Sequence, residues 1–288
     1  MQLRSLPQVQ LTLNNKCLDL SQPQIMGILN VTPDSFSDGG QYTSLEYALQ
    51  HAKQMVAQGA SIIDIGGEST RPDAAPVSIE EEIQRVVPAV EAISQQLDVF
   101  ISIDTSTPEV MQEAVKAGAH IWNDVRALTR PNALDMAATL DIPIILMHMR
   151  GEPNTMNSLA HYKNIVKEVI EELQQRIEAA LLAGIKHTNI ILDPGFGFAK
   201  NAAQNLELLN ALYQFSDYFA MPWLSGLSRK RFLGEALGGA AVNDRLYAGL
   251  AGHLMSVQQG ASIVRTHDVL ATKQHLQLWH ASTMAKDD

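Results

Sequence analysis

Polar side chains stand at the ends of apolar runs along this sequence, and their types divide into two chemical sets. The first is Asp104, Asn123, Asp193 and Lys230. Carboxylates and an amide oxygen accept hydrogen bonds from amino and N–H groups, and an ammonium donates to an acceptor oxygen. Such a set suits a flat heterocycle that carries both. The second is Asn30, Thr70, Arg71, Arg265 and His267. Two guanidiniums, an imidazole and small polar groups suit a phosphate or diphosphate. Asn30 adds a neutral oxygen of the kind Mg²⁺ takes when phosphates fill most of its coordination sphere. A heterocycle pocket beside an anion pocket points to transfer chemistry with a diphosphate leaving group, and it does not by itself name the substrate. Asp64, His148 and Ser228 also end apolar runs. Any one of these residues alone reads as a satisfied polar group or cap; the ring taken together argues for a site.

Two loops strengthen that reading. NVTPDSFSDGG (30–40) and GGESTRPDAAP (66–76) are rich in Gly, Pro, Ser and Asp, and each is long enough to fold over a site as a lid. Phe36, Asp38 and Arg71 stand out among their small neighbours, and an exposed Phe in a Gly/Ser loop is better explained by a ligand than by solvent. Other signals carry less. His148 between Met147 and Met149 has no second metal ligand at helical spacing and reads as a strand end packed in the core. The basic run SRKR in 226–234 is short and isolated for a nucleic-acid patch. LDPGFGFAK (192–200) lacks the ending of a phosphate loop. Cys17 reads as structural.

The elements that must position these groups are legible as alternation. Apolar, β-rich runs occupy 24–30, 61–67, 99–105, 120–125, 143–149, 189–195, 222–228 and 262–268. Near-continuous apolar strands suit a parallel sheet buried on both faces. Helical patterns lie between them. Leu45–Gln58 has apolar residues at helical spacing, Ser78–Gln96 opens with the capping pattern SIEE, Pro108 opens a third helix, and Tyr162–Ala183 is a long fourth. Eight strand–helix units with no linker predict one α/β domain, a (β/α)₈ TIM barrel, spanning 1–288 with its core at about 20–283. LTLNNKCLDL (11–20) predicts a short N-terminal β-hairpin that closes the barrel bottom. Active sites of such barrels lie at the C-terminal strand ends, where the polar ring falls.

Bulk properties agree and exclude. The 288 residues carry 46% hydrophobic and 18% charged side chains, enough for a large core. A net charge of -10 argues against a general nucleic-acid surface. One cysteine excludes an internal disulfide and fits a reducing compartment. No signal-peptide core or membrane-length apolar stretch is present, so the expectation is a cytoplasmic enzyme without a membrane partner.

At its motifs the chain resembles the dihydropteroate synthase family. The matching stretches are MGILNVTPDSFSDGG (26–40), GASIIDIGGESTRP (59–72), ISIDTS (101–106), WNDV (122–125), LMHMRGEPNTM (146–156), LDPGFGFAKN (192–201), GLSRK (226–230) and VRTHDV (264–269). They come in family order. The resemblance implies that the enzyme joins a dihydropterin diphosphate to 4-aminobenzoate, releasing diphosphate. It implies Mg²⁺ at Asn30. It implies Thr70, Asp104, Asn123, Asp193, Lys230, Arg265 and His267 around the pterin diphosphate, and Phe36, Pro72, Met149 and Ser228 around 4-aminobenzoate. Asp104, Asp38, Arg71 and Lys230 are the catalytic expectations, and the family implies a homodimer built on late helices, with 247–257 apolar enough to serve. Arg150 departs from the family pattern, where a glutamine is expected, and bears on the shape of the aminobenzoate side. Two rivals share parts of this pattern. A methyltetrahydrofolate:corrinoid methyltransferase barrel needs the pterin-facing Asp and Asn but neither the SRK motif nor Arg71. An inactive paralogue should have lost Asp38, Thr70 or Arg71, and all three are present.

Overall fold

The computed structural model describes residues 4–13, 16–32, 41–68 and 77–284. A two-stranded antiparallel hairpin comes first, β1 (Gln10–Leu13) and β2 (Lys16–Asp19). Eight parallel strands follow: β3 (Gln24–Asn30), β4 (Ile62–Gly66), β5 (Phe100–Asp104), β6 (Ile121–Asp124), β7 (Ile144–Met147), β8 (Ile190–Asp193), β9 (Leu224–Ser225) and β10 (Ile263–Thr266). Their hydrogen-bonded order is β8-β7-β6-β5-β4-β3-β10-β9. A parallel bridge between Leu192 and Trp223 joins β8 to the start of β9 and closes the ring. The helices α1 (Gln41–Ala57), α2 (Ile79–Gln96), α3 (Pro108–Ala117), α4 (Ala133–Leu140), α5 (Ile165–Leu182), α6 (Ala202–Asn210), α7 (Tyr213–Phe219), α8 (Arg231–Ala236), α9 (Leu246–Gln258) and α10 (Val269–Met284) surround it. The expected (β/α)₈ barrel with an N-terminal hairpin is what the chain forms.

Period-two alternation along each strand explains how one sequence makes both a core and a site. One set of alternate residues faces outward: Ile63, Ile65, Ile101, Ile103, Ile144 and Leu146 pack with helix residues such as Val86, Val90 and Ile93 in the larger apolar cluster. The other set faces the barrel axis. Its lowest layer is apolar, with Met26, Ile62, Phe100, Ile121, Ile145, Ile191, Leu224 and Ile263 in one cluster. Each such side chain, fully buried, contributes on the order of 1.5–3 kcal/mol. One or two steps further along the same strands, the inward residues turn polar: Asp64, Asp104, Asn123, Asp193 and Arg265.

The hairpin stoppers the other end. Leu11, Leu18 and Leu20 join the lowest apolar layer, and Lys16 Nζ donates to Val99 O at 3.0 Å, at the foot of β5. The same alternation turns Cys17 out to solvent. That corrects its reading as a structural residue: Leu18, next to it, does the packing.

Helix starts follow local chemistry. Ser78 Oγ accepts from Glu81 N at 3.2 Å and caps α2, while the Glu81 carboxylate pairs with Arg85 and does not return to the cap. Pro108 occupies the first turn of α3, and Gly118 ends it at φ 115. The fourth predicted helix begins at Ile165, three residues later than Tyr162. Asn164 caps it by accepting from Lys167 N, and Glu168 accepts from the Lys163 and Asn164 amides at 2.6 and 2.8 Å. The seventh run is shorter than expected, because the chain leaves the sheet after Ser225 and turns, with Lys230 N donating to Leu227 O at 3.1 Å and Arg229 at φ 59. Among the described residues, no helix is long and apolar enough to cross a membrane.

Candidate active site

Arg265 organises the top of the barrel. Its Nε donates to Asp64 Oδ2 at 2.6 Å and one terminal nitrogen donates to Asp104 Oδ2 at 2.7 Å. Asn123 Nδ2 reaches both Asp64 oxygens, at 3.3 and 3.2 Å. Four strands thus contribute to one buried polar layer, and Asp64 is fully buried within it. Burial pushes the Asp104 carboxyl up to about 7, with Arg265 pulling it down and Asp64 pushing it up. Burial lowers the Lys230 ammonium to about 8, helped by Arg265 and opposed by Asp193 and Asp104. Both groups therefore sit close to neutrality, where a change of charge costs little.

The loop after β8 forms the neighbouring wall. Asp193 Oδ1 accepts from Gly195 N at 2.7 Å, and burial raises this carboxyl against that hydrogen bond and the pull of Lys230. Lys230 Nζ stands 4.1 Å from the Phe198 ring centroid. Phe198 packs with Val125, Met147, Met156 and Ala199, and Met149 lies against this cluster. An apolar wall beside Asp193, Asn123 and Lys230 is a fitting support for a flat ring with polar edges. The loop bends through Gly195, at φ 71, where an added Cβ would lie 1.9 Å from His148 O. Gly195→Ala is therefore expected to cost on the order of 2–4 kcal/mol, combining left-handed strain with a backbone clash. A melting curve checks it, and an unchanged midpoint would show that the loop repacks freely.

Ser228 and His267 are brought together: Ser228 Oγ lies 3.0 Å from His267 Nδ1 and accepts from His267 N at 3.2 Å. Loss of water around the ring, then Arg265 and Arg229, push the His267 imidazole down to about 4, although the residue as a whole is exposed at the rim. Arg229 grips both Asp268 oxygens through one guanidinium edge, Nε and a terminal nitrogen, at 3.1 and 2.6 Å, which anchors the Ser228–Lys230 turn to the end of β10. Asn30 ends β3 exposed at the rim. A Cβ placed on Gly66 would lie 3.6 Å from Asn30 Oδ1 and 3.9 Å from Asp104 Oδ2. The glycine thus leaves open a small oxygen-lined cradle.

Phe36, Asp38, Thr70, Arg71 and Pro72 lie outside the described residues. The others named from the sequence fall at the C-terminal end of the barrel, within or beside this layer. Asp64 was seen as a strand end and given no role; its partner is 201 residues away. Phe198, Val125 and Met147 went unread because apolar residues next to polar ones look like ordinary core. Arg150 turns toward α5. It pairs with Glu168 and Glu172 and lies over the Tyr162 ring, 3.9 Å from its centroid. His148 is buried as expected, but in a polar chain: Nε2 is 2.9 Å from Glu172 and Nδ1 is 2.9 Å from Lys200.

Comparison with known proteins agrees with this geometry. The family described as pterin binding enzyme matches residues 26–267. The dihydropteroate synthase of Haemophilus influenzae is 50% identical over 277 residues, 96% of this chain and 100% of its own. The Xanthomonas albilineans dihydropteroate synthase with 4-aminobenzoic acid superposes with a TM-score of 0.89 at 45% identity, covering 95% of this chain and 98% of that one. The same enzyme in complex with 7,8-dihydropteroate gives 0.87 at 43% identity, with 95% and 98% covered. With a match across most of its length to the pterin-binding family, and half its residues shared with a full-length relative, the chain belongs to the dihydropteroate synthases.

Proposed function

We propose that the chain condenses (7,8-dihydropterin-6-yl)methyl diphosphate with 4-aminobenzoate to give 7,8-dihydropteroate and diphosphate. The observation that carries the reading is the convergence of Asp104, Asn123, Asp193 and Lys230 on one end of the barrel beside the Phe198 wall. The carboxylates and the amide accept from the amino and N–H edge of the pterin, and Lys230 donates to an acceptor on its other edge. The amine nitrogen of 4-aminobenzoate bonds to the pterin methylene, the methylene–oxygen bond to diphosphate breaks, and the amine sheds one proton. Positive charge develops at the methylene as that bond breaks. The Asp104 carboxylate, held by Arg265, stabilises it. Neutral His267 and the Ser228 hydroxyl offer hydrogen bonds to the diphosphate and the incoming acid. Thr70 and Arg71 would complete the diphosphate contacts, with Phe36, Asp38, Pro72 and Met149 toward 4-aminobenzoate.

A magnesium ion fits the same rim. The Asn30 and Asp104 oxygens flank the cradle at Gly66, and hard oxygen donors in small number suit an ion whose other ligands are phosphate oxygens. Among the described residues, no group of three His, Cys, Asp or Glu side chains forms a cage of its own. When bound, Mg²⁺ supplies positive charge to the leaving diphosphate. Asn30→Ala is expected to raise the Mg²⁺ concentration needed for half-maximal turnover by roughly tenfold, since an exposed rim residue adds little to folding. A Mg²⁺ titration checks it, and an unchanged requirement assigns the ion elsewhere. A homodimer through α9 is part of the proposal; Tyr247 is 81% exposed on that helix, and sedimentation velocity decides it.

The decisive assay measures diphosphate release from the dihydropterin diphosphate with and without 4-aminobenzoate. Release that depends on 4-aminobenzoate and matches dihydropteroate formed is the expected result. Release indifferent to 4-aminobenzoate, or methyl transfer from methyltetrahydrofolate in its place, removes the proposal.

A further inference from the structure

Lys200 contacts none of the residues assigned to the substrates by side chain, yet it is 5% exposed at the end of the loop that follows β8. A buried ammonium is costly unless each proton finds an acceptor. Here each does. Nζ donates to Gly195 O at 2.9 Å and to Phe198 O at 3.0 Å, and it stands 2.9 Å from His148 Nδ1, with His148 O further off at 3.4 Å. Two acceptors belong to the loop itself and two to the residue after β7. One ammonium therefore ties the loop to the adjacent strand end.

Burial lowers the Lys200 ammonium to about 7, opposed by Asp193 and Glu172, and with it charged the protons along this chain have a consistent arrangement. Burial alone would raise the Glu172 carboxyl, but hydrogen bonds from His148 and Arg150 outweigh it and hold the group at about 2. An ionised Glu172 beside His148 Nε2 requires the proton on that nitrogen. Nδ1 is then bare and accepts the third proton of Lys200. Burial, with Lys200 next in weight, keeps the imidazole neutral by pushing it down to about 4.

The loop needs such a tie. Gly195, Gly197 and Ala199 have φ of 71, 77 and 47, and the alanine has no glycine's freedom there. Asn205 holds the middle by accepting from Gly197 N at 2.7 Å. Lys200 holds both ends, through Gly195 and Phe198.

 

The Gly195 end carries the amide that Asp193 accepts from, and the Phe198 end carries the ring beneath Lys230. We propose that Lys200 is a positioning residue for the pterin: by clamping the 195–198 turn to the end of β7, it sets the spacing between the Asp193 carboxylate, the Phe198 ring and the Lys230 ammonium. The proposal rests on the synthase reading above, because the pocket it shapes is the one assigned to the pterin.

Calorimetry with 6-hydroxymethylpterin as the probe tests it on the full chain. Lys200→Met is expected to weaken pterin binding at least ~10-fold, as a displaced loop misplaces its contacts, while the KM for 4-aminobenzoate changes by less than about twofold. A merely structural role predicts no such split between the two substrates. A histidine pair supplies the second arm. His148→Asn keeps an acceptor oxygen near the place of Nδ1, and His148→Leu keeps none; both lose the contact to Glu172. The asparagine variant should bind the pterin within about threefold of wild type, and the leucine variant should fall with Lys200→Met. Should Lys200→Met not fold, this pair decides alone. Wild-type affinity in Lys200→Met, or equal affinity in the two His148 variants, overturns the proposal. Failure of the synthase reading looks different: the wild-type chain itself neither binds the pterin nor makes dihydropteroate.

Discussion

Asp104→Asn is expected to lose about 100-fold in turnover, close to 2.7 kcal/mol of barrier, while its affinity for a pterin analogue changes by less than about fivefold. The asymmetry follows from the site. Asp104 is the carboxylate that Arg265 holds at 2.7 Å, with a side chain only 13% exposed. Asparagine keeps the shape and an oxygen for Arg265, so ground-state contacts largely survive. It removes a negative charge that matters most when the methylene becomes cationic. The pH profile gives a second reading. Burial raises Asp104 to about 7, against Arg265 and with Asp64. The ionised form is the one that stabilises the cation, so wild-type kcat/KM should rise with pH through about 7. That acid limb belongs to the coupled group, and it should disappear or move in the variant. A turnover loss below tenfold with the acid limb intact would leave Asp104 without the role given to it.

Arg265→Met should be the most destabilising single change in the polar layer. It leaves Asp64, fully buried, with Asn123 as its remaining partner, and it leaves a second carboxylate, Asp104, nearby without its cation. Removing one member of a buried ion pair costs about 3–5 kcal/mol, because the other is left uncompensated. For a chain of this size the melting midpoint should fall on the order of 5–15 °C. Asp64→Asn placed on top of Arg265→Met removes the stranded charge and should recover part of the stability without recovering activity. Thermal melts of the two single variants and the double variant separate these contributions. An Arg265→Met midpoint equal to wild type would mean that Asp64 finds another partner.

The barrel was legible because its strands are buried on both faces, so each reads as a compact apolar run whose end is polar. The hairpin was legible for the opposite reason: only one of its faces is buried, and Leu11 and Leu18 alternate with exposed residues. Edges were harder. The start of α5 depends on Glu168 reaching back to two amides, and the end of β9 depends on Arg229 meeting Asp268, 39 residues on. The polar ring was legible by type and place, but its pairings were not. Whether Arg265 would meet a phosphate or a carboxylate depends on the stagger of the closed sheet, which sets it beside Asp64 and Asp104. Lys200 and His148, 52 residues apart, were each passed over for the same reason: neither shows its chemistry until β7 and β8 lie side by side.

The leucines that the hairpin inserts beneath the barrel have a consequence for traffic. With Leu11, Leu18 and Leu20 packed into the lowest layer, the barrel is closed at its floor among the described residues, and its mouth lies at the polar end. Reactants and products share that opening, and nothing drains through the floor. A pterin seated at Asp193 and Asn123, as proposed above, would have to reach them through that mouth.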